Sequence, residues 1–518
     1  MTNEKHRKNF VEAIQTQSNK RKTLTENAAV AYETTGKYLL DFNFKLSQYR
    51  NLSVEEIKHD FAKVYFEDPI IATKFVFFVG DVRGGLGERK VFNSCIEWLV
   101  ENKPEVVYKV IDYIPEYTRW DNLIKLINSK NEVISKAVVY IVGNQLVKDI
   151  EDMAAGKSIS LCAKWLPSIN ASSEETRVLA NIICHKLMIT PKKYRKTLSA
   201  LRKYLDVVEV KMSANEWDQI DYTKVTSLAN LKYSEAFLNR DRERRIEFLE
   251  SLKKGETKIN ASVSQPHEIV RKYYNQPNAW WHEIKEVDTA LEEMWKALPN
   301  VYVEDSLIVR DGSGSMCCSV GHNSKTTCLD VATALTIYCA EHNSSIWKDK
   351  FITFSSSPKF VDLSNCKTLR DKLVRCDKED DCSNTNIEAT MRLILDTAIE
   401  NNLSQEEMPK NIVIISDMQF DARRNSFNWN KTLFEQIADD YAEAGYKLPK
   451  LCFWNVCSRN FDTIPMQNNE LGLVLCSGFS ITNMNMFMSG EINPYKVLIE
   501  QINNPRYNAV EEAIKYII

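Results

Sequence analysis

No apolar run approaches the roughly eighteen residues that a membrane-spanning helix needs, so no membrane span is expected in the 518-residue chain. The first residues, Met1-Thr2-Asn3-Glu4-Lys5-His6, are polar and lead into no apolar signal core, which predicts an intracellular, cytoplasmic protein. Histidine is scarce, with seven in the chain, leaving few candidates for imidazole chemistry or zinc. Thirteen cysteines are present, but no CxxC pair or fixed spacing organises them. Adjacent Cys317 and Cys318 suit neither a zinc site nor an ordinary structural disulfide. Dispersed thiols in such a chain point to a reducing compartment. No Ser/His/Asp or Cys/His arrangement stands at a plausible spacing, so an enzyme is not expected.

What is there is ordinary globular composition, 44% hydrophobic and 26% charged, at a length that suggests two to four domains. The formal net charge of −3 is unevenly spread. Residues 301–518 hold 21 basic and 29 acidic side chains, residues 1–300 hold 46 and 41, and residues 181–275 hold 19 and 12. A basic front and an acidic back fit an anionic partner for the front; solvated helix faces account for the same numbers.

Residues 50 to 300 read as helices. Apolar residues recur at three- and four-residue steps in Ile134-Val138-Ile141-Val142 and in Val178-Leu179-Ile182-Ile183-Leu187. Gly84-Gly85, Lys103-Pro104, Thr190-Pro191 and Gln276-Pro277 separate the segments. Stacked helical pairs, a HEAT-like solenoid or ring, are the expected architecture. After residue 300, apolar runs at 307–309, 351–354, 412–415, 452–456 and 473–475 alternate with helix-length stretches. That alternation predicts a doubly wound, mostly parallel sheet with ligands at its carboxyl edge. The domains are therefore expected at 1–300 and 301–518.

The first of those runs ends in Asp311-Gly312-Ser313-Gly314-Ser315, which places a carboxylate and two hydroxyls in one loop. Mg²⁺ or Mn²⁺ favours such oxygens in near-octahedral geometry. Ile415-Ser416-Asp417 adds a second carboxylate at the same edge, and Asp380-Asp381-Cys382-Ser383-Asn384-Thr385 offers the Thr385 hydroxyl. In content and chain order the set resembles the metal-ion-dependent adhesion site (MIDAS) of von Willebrand A domains. The resemblance implies Asp311, Ser313, Ser315, Thr385 and Asp417 as ligand positions for Mg²⁺, Mn²⁺ or Ca²⁺, with an open position that takes a partner's carboxylate.

The front half carries Lys164-Trp165-Leu166-Pro167-Ser168, Tyr194-Arg195-Lys196-Thr197-Leu198, Trp217, Ile220-Asp221-Tyr222 and Phe237 in order. Thr25-Glu26-Asn27-Ala28, Thr34-Thr35-Gly36 and the block from Asp81 to Arg89 precede them. The series resembles the TROVE module of the Ro ribonucleoproteins and telomerase RNA-associated proteins, over roughly residues 20–500. It implies a helical module joined to an A domain, binding structured or misfolded small RNA as a non-catalytic scaffold or quality-control component. Phosphate contacts need Lys and Arg, and stacking needs aromatic or guanidinium planes. Lys192, Lys193, Tyr194, Arg195, Lys196, Arg202 and Lys203 offer that mixture, and Arg271-Lys272-Tyr273-Tyr274 is a second candidate. The alternative is a metal-dependent protein-interaction adaptor that binds no RNA.

Three features receive structural readings. The glycine-rich block lacks the Gly-Lys-Ser/Thr ending of a phosphate loop, and is expected to be an inter-helix turn with Asp81, Arg83, Glu88 and Arg89 in a local ion-pair network. Trp280 and Trp281 are expected in a core or interface, and His267 in packing or capping.

Overall fold

Near-continuous Val, Ile, Leu and Phe runs suit strands buried on both faces, and the computed structural model forms a sheet from them. It describes residues 21–261, 263–275, 283–322, 324–380, 383–423, 428–459 and 462–517. A short antiparallel hairpin comes first, β1 (Lys22–Leu24) and β2 (Val30–Tyr32). The main sheet comprises β3 (Ser306–Asp311), β4 (Lys350–Phe354), β5 (Lys359–Asp362), β6 (Asn411–Ser416), β7 (Lys450–Asn455) and β8 (Leu473–Ser477). Its order is β5-β4-β3-β6-β7-β8, and every pairing is parallel except β4 with β5. The chain leaves β3 first towards β4 and later returns to β6 on its other side. A doubly wound sheet opens its ligand crevice where the order reverses, here between the carboxyl ends of β3 and β6. All six residues of each of those strands are buried.

By packing, the chain divides into two compact units, and the division is not at residue 300. One gathers the chain up to Ala72 with Ser264–Asn504, and the other gathers Thr73–Val263 with Pro505–Ile518. In the first, the front segment supplies polar groups to the carboxyl ends of β7 and β8. The Ser47 amide donates to Ser477 Oγ at 3.0 Å, its hydroxyl donates to the Asn455 carbonyl at 3.0 Å, and the Gly478 amide donates to Ser47 Oγ at 2.9 Å. Strand-end groups left buried without partners would each cost about 1–3 kcal/mol, which explains why these residues fold with the sheet. His267 also lies here, buried with its ring 5.2 Å from that of Phe479, and burial, aided by nearby Arg50, pulls its pKa down to about 3. It is a packing residue.

The second unit is helical. Helix Glu132–Ala154 buries Ile134, Val138 and Val142, as their spacing predicts. Lys103-Pro104 and Thr190-Pro191 each open a helix with proline in its first turn. The block 81–89 joins helices Pro69–Gly80 and Arg89–Asn102. Two of its charges bond outside the block: Asp81 pairs with Arg506 and accepts from Tyr507 Oη at 3.0 Å, while Arg89 pairs with Asp121. The turn brings its backbone together rather than its side chains, and Asp81 Oδ1 accepts from the Arg83 amide at 2.9 Å. A Cβ on Gly85 would lie 1.9 Å from the Phe78 carbonyl oxygen. Gly85→Ala is therefore expected to cost about 3 kcal/mol, read as a lower denaturation midpoint with unchanged slope. Trp280, Trp281, Gln276-Pro277 and Asp381-Cys382 lie outside the described residues.

Among the described residues, no helix is long and apolar enough to cross a membrane.

Candidate metal centre and basic helix

β3 delivers Asp311 at its carboxyl end, and β6 delivers Asp417 one residue beyond Ser416. Both carboxylates are buried. Asp311 Oδ1 accepts from the Ser313 amide at 2.9 Å, and Oδ2 accepts from Ser416 Oγ at 2.6 Å. The hydroxyls of Ser313 and Ser315 are 2.9 Å apart, and Ser315 also hydrogen-bonds Asp417. Gly312, between Asp311 and Ser313, lets the loop pass close to Asp380, whose Oδ1 a Cβ there would meet at 2.9 Å. Asp380 itself pairs with buried Arg310. Met418 follows Asp417 with φ of +64° while its amide donates to Ser416 Oγ at 3.0 Å, a conformation non-glycine residues rarely adopt outside sites that impose it.

Thr385 stands at the residue before the N-cap of helix Ile387–Glu400, and its carbonyl accepts from the Asp421 amide at 3.1 Å. Asn27 Nδ2 reaches both Thr385 Oγ1 at 3.4 Å and the Gln419 carbonyl at 2.8 Å. The stretch Thr25–Ala28 is stitched along this edge, with Thr25 Oγ1 donating to the Phe420 carbonyl at 2.7 Å and the Ala422 amide donating to the Asn27 carbonyl at 2.9 Å. Two carboxylates and three hydroxyls form an all-oxygen donor set, the kind a hard divalent cation takes. Burial and the neighbouring Asp417 charge hold the Asp311 carboxyl up at about 7. Burial, then Cys457, raises Asp417 as well. Such a pair calls for a counter-charge.

Part of it is Arg459. Its guanidinium lies 2.5 Å from Asp417 Oδ2 and 3.0 Å from Glu26 Oε2. Neither Arg459 nor Glu26 was singled out as a site residue from the sequence. Nor were Cys318, Cys328 and Cys457, which meet next to Arg459; hydrogen bonds from Cys318 and then Cys328 hold the Cys457 thiol down at about 3. Hundreds of residues separate Glu26 from Arg459 and 129 separate Cys328 from Cys457, so linear spacing held no signal.

In the other unit, the predicted RNA residues fall on helix Pro191–Tyr204. Lys192, Lys193, Arg195, Lys196 and Lys203 are exposed, and none forms an ion pair among the described residues. Tyr194 and Arg202 do not belong to that face. Tyr194 is buried with Oη donating to the Pro167 carbonyl at 2.9 Å. Arg202 donates to the carbonyls of Ala163 and Leu166 and to Ser168 Oγ, at 2.8, 2.6 and 2.7 Å. The helical period turns both side chains inward, where they satisfy carbonyls around the short helix Cys162–Trp165. The second candidate fails for the same reason: Tyr273 and Tyr274 are buried, and Arg271 donates to the carbonyls of Lys325 and Tyr274 at 2.8 and 2.9 Å.

Residues 25–118 and 118–303 match the family described as a domain of unknown function (DUF2828). The chain belongs to the DUF2828 family. Residues 305–513 match a second domain of unknown function, DUF7788. The DUF2828 match begins at Thr25, the first residue of the stretch stitched along the edge of the candidate site. Uncharacterized protein L728 of Acanthamoeba polyphaga mimivirus is similar at 30% identity, over 92% of this chain and 86% of that protein. The crystal structure of the Deinococcus radiodurans RO (RSR) protein is similar at a TM-score of 0.44 and 13% identity, over 86% of this DUF2828 chain and 98% of that one.

Proposed function

We propose that this protein is a non-catalytic RNA-binding scaffold whose helical unit grips the phosphate backbone and whose A-type unit holds a divalent cation. The observation that carries the reading is helix Pro191–Tyr204, with five exposed basic side chains and no acidic one. A merely solvated helix face mixes signs, because opposite charges three or four residues apart stabilise it. Here Lys192 and Lys193 stand in the first turn, where the helix dipole disfavours cations by a few tenths of a kcal/mol each. A polyanion reverses that cost, since amides and ammonium groups then attract the same phosphates. Lys192, Arg195, Lys196 and Lys203 follow one face at helical spacing, with small Ser199 and Ala200 leaving it open for a strand to lie along. The sequence resemblance to TROVE modules supports the same partner.

The metal assignment rests on the all-oxygen donor set of Asp311, Ser313, Ser315, Thr385 and Asp417. Its place is structural, tying β3, β6 and the segment at Thr385 together; every acid in it is accounted for as a ligand, so no turnover of RNA or nucleotides is expected. A sustained turnover lost in Asp417→Ala would overturn the non-catalytic reading.

Copurified nucleic acid tests the RNA reading most cheaply. Protein purified at low salt should carry RNase-sensitive material with a high 260/280 absorbance ratio, released by a high-salt wash. Protein that is free of nucleic acid, and does not retain added single-stranded RNA on a filter at low salt, would refute it.

A further inference from the structure

Cys318, Cys328 and Cys457 have Sγ atoms that all lie within 4.8 Å of one another. Cys318 Sγ is 3.3 Å from that of Cys328 and 3.9 Å from that of Cys457. Each comes from a different element. Cys318 closes the 3-10 turn Gly314–Cys317, Cys328 is the first residue of helix Cys328–Glu341, and Cys457 stands two residues past β7. Cys328 and Cys457 are buried and Cys318 is partly exposed, so the cluster has one side that an ion can enter.

Three thiols around one point are not the plan of a disulfide, which joins two and strands the third beside them. A tetrahedral ion with bonds of about 2.3 Å sets its sulfurs about 3.8 Å apart, and the separations of 3.3 and 3.9 Å lie on either side of that value. We propose that Cys318, Cys328 and Cys457 form a second metal site, holding a thiophilic ion of the zinc class. It is separate from the oxygen site at Asp311, and its fourth position is left to water.

The surroundings are built for ligation. The Cys328 amide donates to the Cys318 carbonyl at 3.0 Å and Ser319 bridges Thr327, so these two ligands are held across a closed loop. Ser458 Oγ ties that loop to the third ligand's strand end by donating to the Ser319 carbonyl at 2.9 Å. The Cys457 amide donates to Asn455 Oδ1 at 3.0 Å, which ties its backbone to the end of β7. The Arg459 amide donates to Cys457 Sγ at 3.3 Å, an outer-shell bond of the sort that orients metal thiolates. Three thiolates on a divalent ion leave one negative charge, and the Arg459 guanidinium, shared with Asp417 and Glu26, is a cation beside it. Binding releases the remaining thiol protons to solvent, and no oxidant or reductant takes part.

Arg459 therefore stands between two sites of opposite chemical preference. Carboxylates and hydroxyls select a hard ion on one side, and sulfur selects a soft one on the other.

The test uses the full chain, reduced and stripped of metal, titrated with Co²⁺ in excess Mg²⁺. One equivalent should produce a thiolate-to-cobalt charge-transfer band in the near ultraviolet and strong tetrahedral bands in the visible, both bleached by Zn²⁺. Cys318→Ser and Cys457→Ser should weaken binding by more than the roughly 10–100-fold that loss of an outer hydrogen bond costs. Asp311→Ala should leave the bands in place. Wild-type protein with native circular dichroism and no such bands would overturn the proposal, as would bands unchanged in both cysteine variants. If a variant does not fold, zinc-edge X-ray absorption on the zinc-loaded wild type decides. Three sulfur scatterers at about 2.3 Å are expected, and a shell of oxygen and nitrogen alone contradicts the site.

Discussion

Asp311→Ala should abolish Mg²⁺ binding, weakening it by at least roughly 100-fold, since loss of a direct ligand exceeds the cost of an outer-shell partner. The charge balance at the site sets that expectation. Asp417 is already paired with Arg459 through a 2.5 Å contact, so the uncompensated negative charge resides on Asp311. Without it, the cation would meet three neutral hydroxyls and a carboxylate shared with a guanidinium. Hydroxyls complete a coordination shell, but they do not neutralise a divalent charge. The protein without Asp311 should still fold: leaving buried Ser416 Oγ and the Ser313 amide without this acceptor should cost about 1–3 kcal/mol each, less than the stability of a typical domain. Isothermal calorimetry with Mg²⁺, which does not compete for thiols, is the measurement. Equal heats for wild type and variant would remove the oxygen site.

Replacing Lys192, Arg195 and Lys203 together by Ala should weaken binding of single-stranded RNA by about 100-fold near 0.1 M salt. For single strands each phosphate contact contributes a log–log salt slope of about −0.7, so three contacts contribute about −2. Unrelated sequences should lose affinity alike, since phosphate contacts carry no sequence information. The exposed positions put the expected change in folding stability within about 0.5 kcal/mol. Arg202 is excluded from the set, because its guanidinium holds three groups around Cys162–Trp165 and its loss would confound binding with stability. Filter binding at several salt concentrations checks the result. An unchanged slope would place the RNA contacts elsewhere.

The A-type sheet was legible because its strands are buried on both faces and so read as unbroken apolar runs. β5 was not, since it is an antiparallel edge strand in which only Val361 is buried. That Asp311 and Asp417 share one edge was legible because strand order brings the ends of β3 and β6 together. Arg459 and Glu26 were not, because their meeting depends on how the segment before Ala72 docks. The same docking explains why the packing units run across residue 300, where the two family matches meet: Ser47 and Thr25–Ala28 satisfy groups on the sheet's carboxyl edge, which no local pattern announces. On the basic helix the composition was correct but the face was not. Tyr194 and Arg202 share a helical stripe with Leu198 and Leu201, so the apolar period already marked them as inward-facing.

Ultraviolet cross-linking of the full chain to single-stranded RNA, with the attachment sites mapped by mass spectrometry, tests the RNA assignment most directly. Cross-links concentrated on Lys192, Lys193, Arg195, Lys196 and Lys203, and diminished by added salt, are the expected result. RNA bound with its cross-links elsewhere, or no RNA bound at low salt by folded protein, would contradict it.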